Sequence, residues 1–148
     1  VCHQRRNVGF FSDVSKGYYY SGQFAKSQQL SDLLRSLMEW INHFFNANYN
    51  GILINHYEDG NDYISAHSDD ETNLDSNVGV LSISFFGTRT FRIRSKSNKN
   101  LKIDTQLNDG DILVMNGNDF QKKYTHEVPV QKKISEERIS LTFRHHNY

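Results

Sequence analysis

The chain of 148 residues holds a single proline, Pro129, and a single cysteine, Cys2. A lone cysteine excludes an intramolecular disulfide and suits a reducing compartment. No apolar run approaches the roughly 20 residues that a membrane-spanning helix needs, so no membrane partner is expected. Lysine and arginine balance aspartate and glutamate at 17 each. There is thus no global basic excess of the kind that advertises nucleic acid binding. Internal repeats, low-complexity tracts and linkers are missing as well. The length fits one domain over residues 1–148, and a start at Val1 in place of Met points to an N-terminally truncated fragment. Targeting signals upstream of a fragment lie outside such a reading; the expectation is an intracellular monomer, cytoplasmic or nuclear.

What the chain does have is aromatic residues: ten Phe, eight Tyr and one Trp, enough for one core. Leu30, Leu33, Leu34, Leu37, Met38, Ile41 and Phe45 recur at helical spacing. They predict one amphipathic helix from about Ser27 to Ala47, with Ser27 or Ser31 as its cap. Most of the rest reads as strands. "GILINHY", "VGVLSISFF", "TFRIRS", "LKIDTQL", "DILVMN" and "RISLTFR" are rich in β-branched and aromatic residues. Asp109-Gly110 marks a tight turn between two of them. Short strands after one helix predict a mainly β sandwich, barrel or jelly roll with the helix laid on its outside.

The charges are unevenly placed. From Gly51 to Thr88 there are seven Asp or Glu and no Lys or Arg; from Arg89 to Lys102 there are six Lys or Arg and no acid. Solvated loops would explain either block alone. The acidic block, however, surrounds His67 and Asp69. Two residues apart on a strand, they would point the same way and offer an imidazole and a carboxylate to a cation. His126 in "KKYTHEVP" can supply a third ligand. Two His and one carboxylate with open positions opposite suit a non-heme iron centre. Tetrahedral zinc is the rival, without a cysteine cluster to support a structural site. H-x-D is a short motif that arises by chance. The other histidines are given structural places: His43 on the helix flank, His56 outward on its strand, His3, His145 and His146 near the ends.

In "RISLTFR", Arg138, Ser140, Thr142 and Arg144 share one face and Ile139, Leu141 and Phe143 the other. At ~3.3 Å per residue the two arginines start roughly 20 Å apart. They could grip opposite ends of a small dianion, because a guanidinium fork matches a carboxylate. An outward polar face would look the same. "LINHY" adds Asn55 and Tyr57 to a second polar face, and such groups need partners once buried.

Together these residues resemble the AlkB-like branch of the Fe(II)- and 2-oxoglutarate-dependent dioxygenases. The spacing is N-x-Y at Asn55 and Tyr57, H-x-D at His67 and Asp69, the distal His126, then Arg138 and Arg144, with "GDILVMNG" ahead of the distal His. The resemblance implies a double-stranded β-helix, with iron on His67, Asp69 and His126. It implies 2-oxoglutarate among Asn55, Tyr57, Arg138, Ser140, Thr142 and Arg144. It implies an oxidative demethylase acting on N-alkylated bases of the 1-methyladenine or 3-methylcytosine type in DNA or RNA, which releases formaldehyde, succinate and CO2. "GYYYSG" resembles the family's aromatic motif, placing Tyr18 and Tyr20 beside a flipped base, with Tyr19 turned away. Glu71 matches the acidic position that reads the base edge, and Asp70 is expected to pair with Arg6.

The basic block and "QKK" at Gln131 to Lys133 are expected to hold phosphates, although Gln131 departs from the basic residue carried by the family's duplex-repair enzymes. Alternatives keep the iron chemistry for a modified tRNA base, a protein or a lipid, or make the chain a non-catalytic nucleic-acid-binding jelly roll.

Overall fold

The computed structural model describes residues 5–20, 23–75 and 77–147, without the side chains of Tyr20 and Asn118. Cys2, His3 and the Tyr20 side chain therefore lie outside the described residues. The elements are β1 (Asn7–Phe11), β2 (Gly17–Tyr20), β3 (Gln23–Gln28), α1 (Asp32–Phe45), β4 (Gly51–Tyr57), β5 (Ile64–His67) and β6 (Val80–Phe86). They continue with β7 (Arg89–Ser95), β8 (Lys102–Leu107), β9 (Ile112–Met115), α2 (Gly117–Lys123), β10 (Tyr124–Val128) and β11 (Arg138–Arg144).

A seven-stranded sheet runs β2-β3-β1-β4-β11-β6-β9 and a four-stranded sheet runs β5-β10-β7-β8. This is the mainly β jelly roll that the pattern implies. β11 lies between β4 and β6, antiparallel to both, with Ser140 opposite Asn55 on one side and Ser84 on the other. Alternation then sorts its residues. Leu141 and Phe143 join Ile52, Leu81 and Ile83 in a core beneath α1, which contributes Leu34, Leu37, Met38, Ile41 and Phe45. The opposite, polar face of β11 looks toward the smaller sheet. Tyr57, Val80, Phe91, Leu107, Met115 and Val128, drawn from both sheets, form a second core cluster.

The helix is shorter than its periodicity predicts. Ser31 caps it, accepting from the Leu34 N–H at 3.3 Å, and Asn46 ends it in the left-handed region at φ 50. Ser27 and Gln28, at the start of the expected helix, close β3 instead, which pairs with β2 and β1; two ladders outweigh a helical turn. Ser27 thus caps nothing, and its hydroxyl donates to Ser12 O. Leu33 is not core either. It is 78% exposed and shares the outer face of α1 with exposed Trp40 and Phe44. The Asp109-Gly110 turn is present, with Gly110 at φ +82. Among the described residues no helix is long and apolar enough to cross a membrane.

Candidate functional site

β10 pairs antiparallel with β5 so that His126 lies opposite His67, and the two rings meet with centroids 4.2 Å apart. Asp69 is not on that strand: β5 ends at His67, and Asp69 reaches back from the loop beyond it. Its Oδ1 lies 3.7 Å from His67 Nε2 and its Oδ2 3.7 Å from His126 Nε2. One ligand atom from each residue falls within 4.8 Å of the others. His67 Nδ1 sits 2.8 Å from Ser65 O; the proton belongs there, which leaves the Nε2 lone pair facing Asp69. Asp69 Oδ2 is buried without a hydrogen-bond partner. Two imidazole nitrogens and an orphaned carboxylate oxygen converging on one point fit a divalent transition metal.

The electrostatics agree with that donor set. Burial would raise the Asp69 carboxyl, but Arg144 and the two histidines outweigh it and hold its pKa down to about 2. Burial also drives His126 down to about 4 against the pull of Asp69, so it is a neutral ligand at ordinary pH. Asp69 is held twice over. Arg144 Nη2 donates to its Oδ1 at 2.9 Å, and Gln121 Oε1 accepts from its backbone N–H at 2.8 Å. Next to it, the Ser68 hydroxyl donates to Tyr124 O.

The polar face of β11 lines a cavity of about 290 Å³ between the sheets, together with the three candidate ligands, Asn55, Tyr57 and Ser82. Arg138 is 2% exposed. Its Nη2 donates to Ser84 Oγ at 2.9 Å, and its Nε and Nη1 are buried with no partner. Burial pushes its pKa down, and no carboxylate pairs with it among the described residues. A small carboxylate fits these open donors. The two arginines do not simply grip opposite ends of one dianion, because Arg144 is already bound to Asp69. Arg144 keeps Nε and Nη1 unpartnered, so it can serve the metal ligand and an anion together. Ser82 and Ser84 were missed by the sequence reading, although their alternation with Leu81, Ile83 and Phe85 announced a polar face.

At the other end, Tyr18 is 1% exposed, beneath Arg144 with the guanidinium carbon 5.5 Å from its ring centre. Burial raises its pKa strongly, and its hydroxyl bonds Glu71. Glu71 is also pushed up by burial, and its Oε2 has no partner. Tyr19 faces away, 65% exposed, against Phe24. Arg6 lines the cavity and donates to Asn55 Oδ1 at 2.8 Å. Asp70 lies 3.8 Å from Lys96 Nζ, a partner the sequence did not suggest. Because Tyr18 also packs on Phe10 and His146, its loss would disturb the core as well as the site.

The basic block reads differently in three dimensions. Arg89 is 1% exposed and donates to the carbonyls of Asp59, Asp62 and Pro129 and to Gln131 Oε1. Gln131 Oε1 also accepts from Thr90 N. Arg89 is therefore not available to a phosphate, and the Gln131 oxygen is engaged within the protein. Arg92 pairs with Asp104 and Glu127, and Arg94 with Glu127. Asp62 is no ordinary loop charge: it is buried and accepts from Glu58 N. His43 is solvent-exposed, and His56 meets Glu137 at 2.9 Å. His146 is fully buried against Phe10 and Tyr18. It sits where a Cβ on Gly51 would come within 2.7 Å.

A family model described as "2OG-Fe(II) oxygenase superfamily" matches residues 2–144. The chain is similar to the DNA oxidative demethylase ALKBH2 of Bos taurus, 30% identical over 146 residues, covering 94% of this chain and 52% of the relative. The Homo sapiens protein of the same name is 29% identical over 146 residues, covering 94% and 56%. The alpha-ketoglutarate-dependent dioxygenase alkB homolog 3 of Rattus norvegicus is 36% identical over 104 residues, covering 65% and 35%. The chain thus spans about half the length of the first two. A solved structure titled "The structure of OsALKBH1" superposes with a TM-score of 0.58 at 20% identity, covering 82% of this chain and 67% of that one, which is a likeness of fold.

Proposed function

The chain belongs to the 2OG-Fe(II) oxygenase superfamily, and from that premise we propose that it removes methyl groups oxidatively from ring nitrogens of alkylated bases in DNA or RNA. The observation that carries this reading is a single cavity with three walls. The His67, Asp69 and His126 ligand atoms form one, the open donors of Arg138 another, and Tyr18 with Glu71 the third. Iron(II) bound to the triad would, with 2-oxoglutarate and dioxygen, supply the oxidising chemistry that yields succinate, CO2 and formaldehyde.

The chain's own residues do the positioning. Arg138 offers two unpaired N–H groups to a carboxylate of the cosubstrate, with Ser140, Thr142, Asn55 and Tyr57 as neighbours. Arg144 holds Asp69 and presents its remaining donors to the same space. Glu71 offers an unpartnered oxygen at a buried position. A methylated base that carries a positive charge satisfies that oxygen better than a neutral one. The relatives named as DNA oxidative demethylases support the reaction class, and the one named as an alpha-ketoglutarate-dependent dioxygenase supports the cosubstrate.

The test is incubation with Fe(II), 2-oxoglutarate, ascorbate and oligonucleotides carrying 1-methyladenine or 3-methylcytosine, as single-stranded DNA, duplex DNA and RNA. Loss of 14 mass units from the base, matched by succinate, is the expected result. Succinate without demethylated base on any of the three would assign the chemistry to another substrate. Binding of oligonucleotide with no succinate at all would make the chain a non-catalytic binding domain.

A further inference from the structure

Asp69 has an unusual backbone. β5 stops at His67, so the Asp69 N–H has no strand to pair with, yet it lies in the protein interior beside a buried side chain. A buried N–H needs an acceptor, and Gln121 Oε1 provides it at 2.8 Å. Gln121 is 6% exposed and sits on α2, five residues ahead of His126. Its Nε2 lies 3.9 Å from Met115 Sδ, a weak acceptor that fixes the amide with its oxygen toward the loop. Its backbone carbonyl accepts from Lys96 Nζ at 2.8 Å, and that same ammonium lies 3.8 Å from Asp70. Together with the Ser68 bond to Tyr124 O at 2.8 Å, every residue from Ser68 to Asp70 is fastened to α2, β10 or Lys96.

We propose that Gln121 is a positioning residue for the metal: its amide oxygen sets the backbone of the carboxylate ligand. This rests on the reading of His67, Asp69 and His126 as ligands. Asp69 has to divide its oxygens, giving Oδ1 to Arg144 and leaving Oδ2 open. A carboxylate divided in that way must be fixed at both ends. Arg144 fixes the side chain, and Gln121 fixes the main chain. The segment α2–β10 therefore delivers one ligand, His126, directly and sets a second one through Gln121. Apolar packing at position 121 could fill the same volume, but it could not hold the N–H.

That distinction gives the experiment. The full chain is stripped with chelator and titrated with Co(II), followed by calorimetry and by the visible absorption of the bound ion, for the unaltered protein, Gln121→Met and Gln121→Glu. Methionine keeps the shape and removes the acceptor; glutamate keeps an acceptor oxygen at the same reach. The expected result is a 10- to 100-fold weaker Co(II) affinity for Gln121→Met, on the scale of about 10–100-fold for lost outer-shell partners, and an altered absorption band. Gln121→Glu should stay within about threefold of the unaltered protein. Circular dichroism and melting of the metal-free forms establish that each is folded. The proposal is overturned if Gln121→Met binds Co(II) within twofold with an unchanged band, or if Gln121→Glu loses as much as Gln121→Met. Should Gln121→Met not fold, Gln121→Leu, which also removes the acceptor and keeps an apolar side chain, takes its place under the same criteria. An unaltered protein that binds no Co(II) would instead remove the metal reading itself.

Discussion

Arg138→Met is expected to make the ligand-free protein more stable and the cosubstrate-bound protein less so. Arg138 is 2% exposed; its Nη2 donates to Ser84 Oγ, its guanidinium also meets the Tyr57 hydroxyl, and its Nε and Nη1 have no hydrogen-bond partner. Its guanidinium lies 5.4 Å from the Tyr57 ring, and Arg89, a second buried guanidinium, lies 5.4 Å from the same ring. Two like charges sharing one aromatic ring, neither of them in a salt bridge with a carboxylate among the described residues, strain the folded state. Replacing buried ionic groups by apolar ones of similar volume commonly stabilises by about 1–3 kcal/mol. At about 2–4 °C per kcal/mol for a chain of this size, the metal-loaded, cosubstrate-free variant should melt about 3–10 °C higher. The unaltered protein with 2-oxoglutarate at 100 times its Kd gains about 2.7 kcal/mol, or roughly 5–10 °C on the same scale, and the variant should lose that gain. The assay is thermal melting with Mn(II), which fills the site without turnover, with and without 2-oxoglutarate. Arg138→Lys should keep the charge and recover only part of the shift, because it lacks the fork. A variant that melts lower without ligand, yet still gains the full shift with it, would refute the argument.

Three further outcomes can be measured. Glu71→Gln should lower kcat/KM on oligonucleotides with a cationic methylated base by about tenfold or more, with a smaller change on a neutral methylated base; equal losses on both would deny Glu71 a role in charge recognition. Burial holds His146 down to about 4 from 6.5, so between those values the unfolded chain takes up the proton and the folded one does not. Stability should therefore fall by about 3 kcal/mol as pH drops from 6.5 to 4. Urea melts of metal-free His146→Leu should show that share of the slope removed, with the share due to His126, also held down to about 4, remaining. Arg89→Met breaks four hydrogen bonds to two loops and should cost about 3 kcal/mol or more in urea unfolding, while the salt dependence of oligonucleotide binding stays unchanged; a shallower salt slope would restore Arg89 to the phosphate-binding surface.

Strands β4 and β11 were legible to the residue, β11 because its polar and apolar positions alternate without interruption and β4 because it is rich in β-branched and aromatic residues. The same alternation brought Asn55, Ser140 and Thr142 to one cavity. β3 was hidden because Ser27 and Leu30 continue the spacing of the helix that follows, and only pairing with β1 and β2 overrides it. Asp69 lies beside His67 and His126, but not by the route the spacing suggested: a strand was expected, whereas a loop tied to Gln121 and Arg144 carries it. Gln121 left no trace in the sequence, since its partner is 52 residues away. Clustered charge misled at Arg89 because composition does not distinguish a solvated cation from one that joins buried carbonyls.

The central place of β11 also governs how the molecule is made. Synthesis delivers β4 and β6 long before the strand that joins them, and β4 must wait from Tyr57 until Arg138 for its neighbour. During that interval both strands carry open hydrogen-bonding edges and a bare apolar face. Such long-range pairing is slow and exposes the nascent chain to aggregation. Arg138 and Arg144 enter with that last strand, so the cavity they line cannot close until the ribosome has nearly finished this stretch of chain.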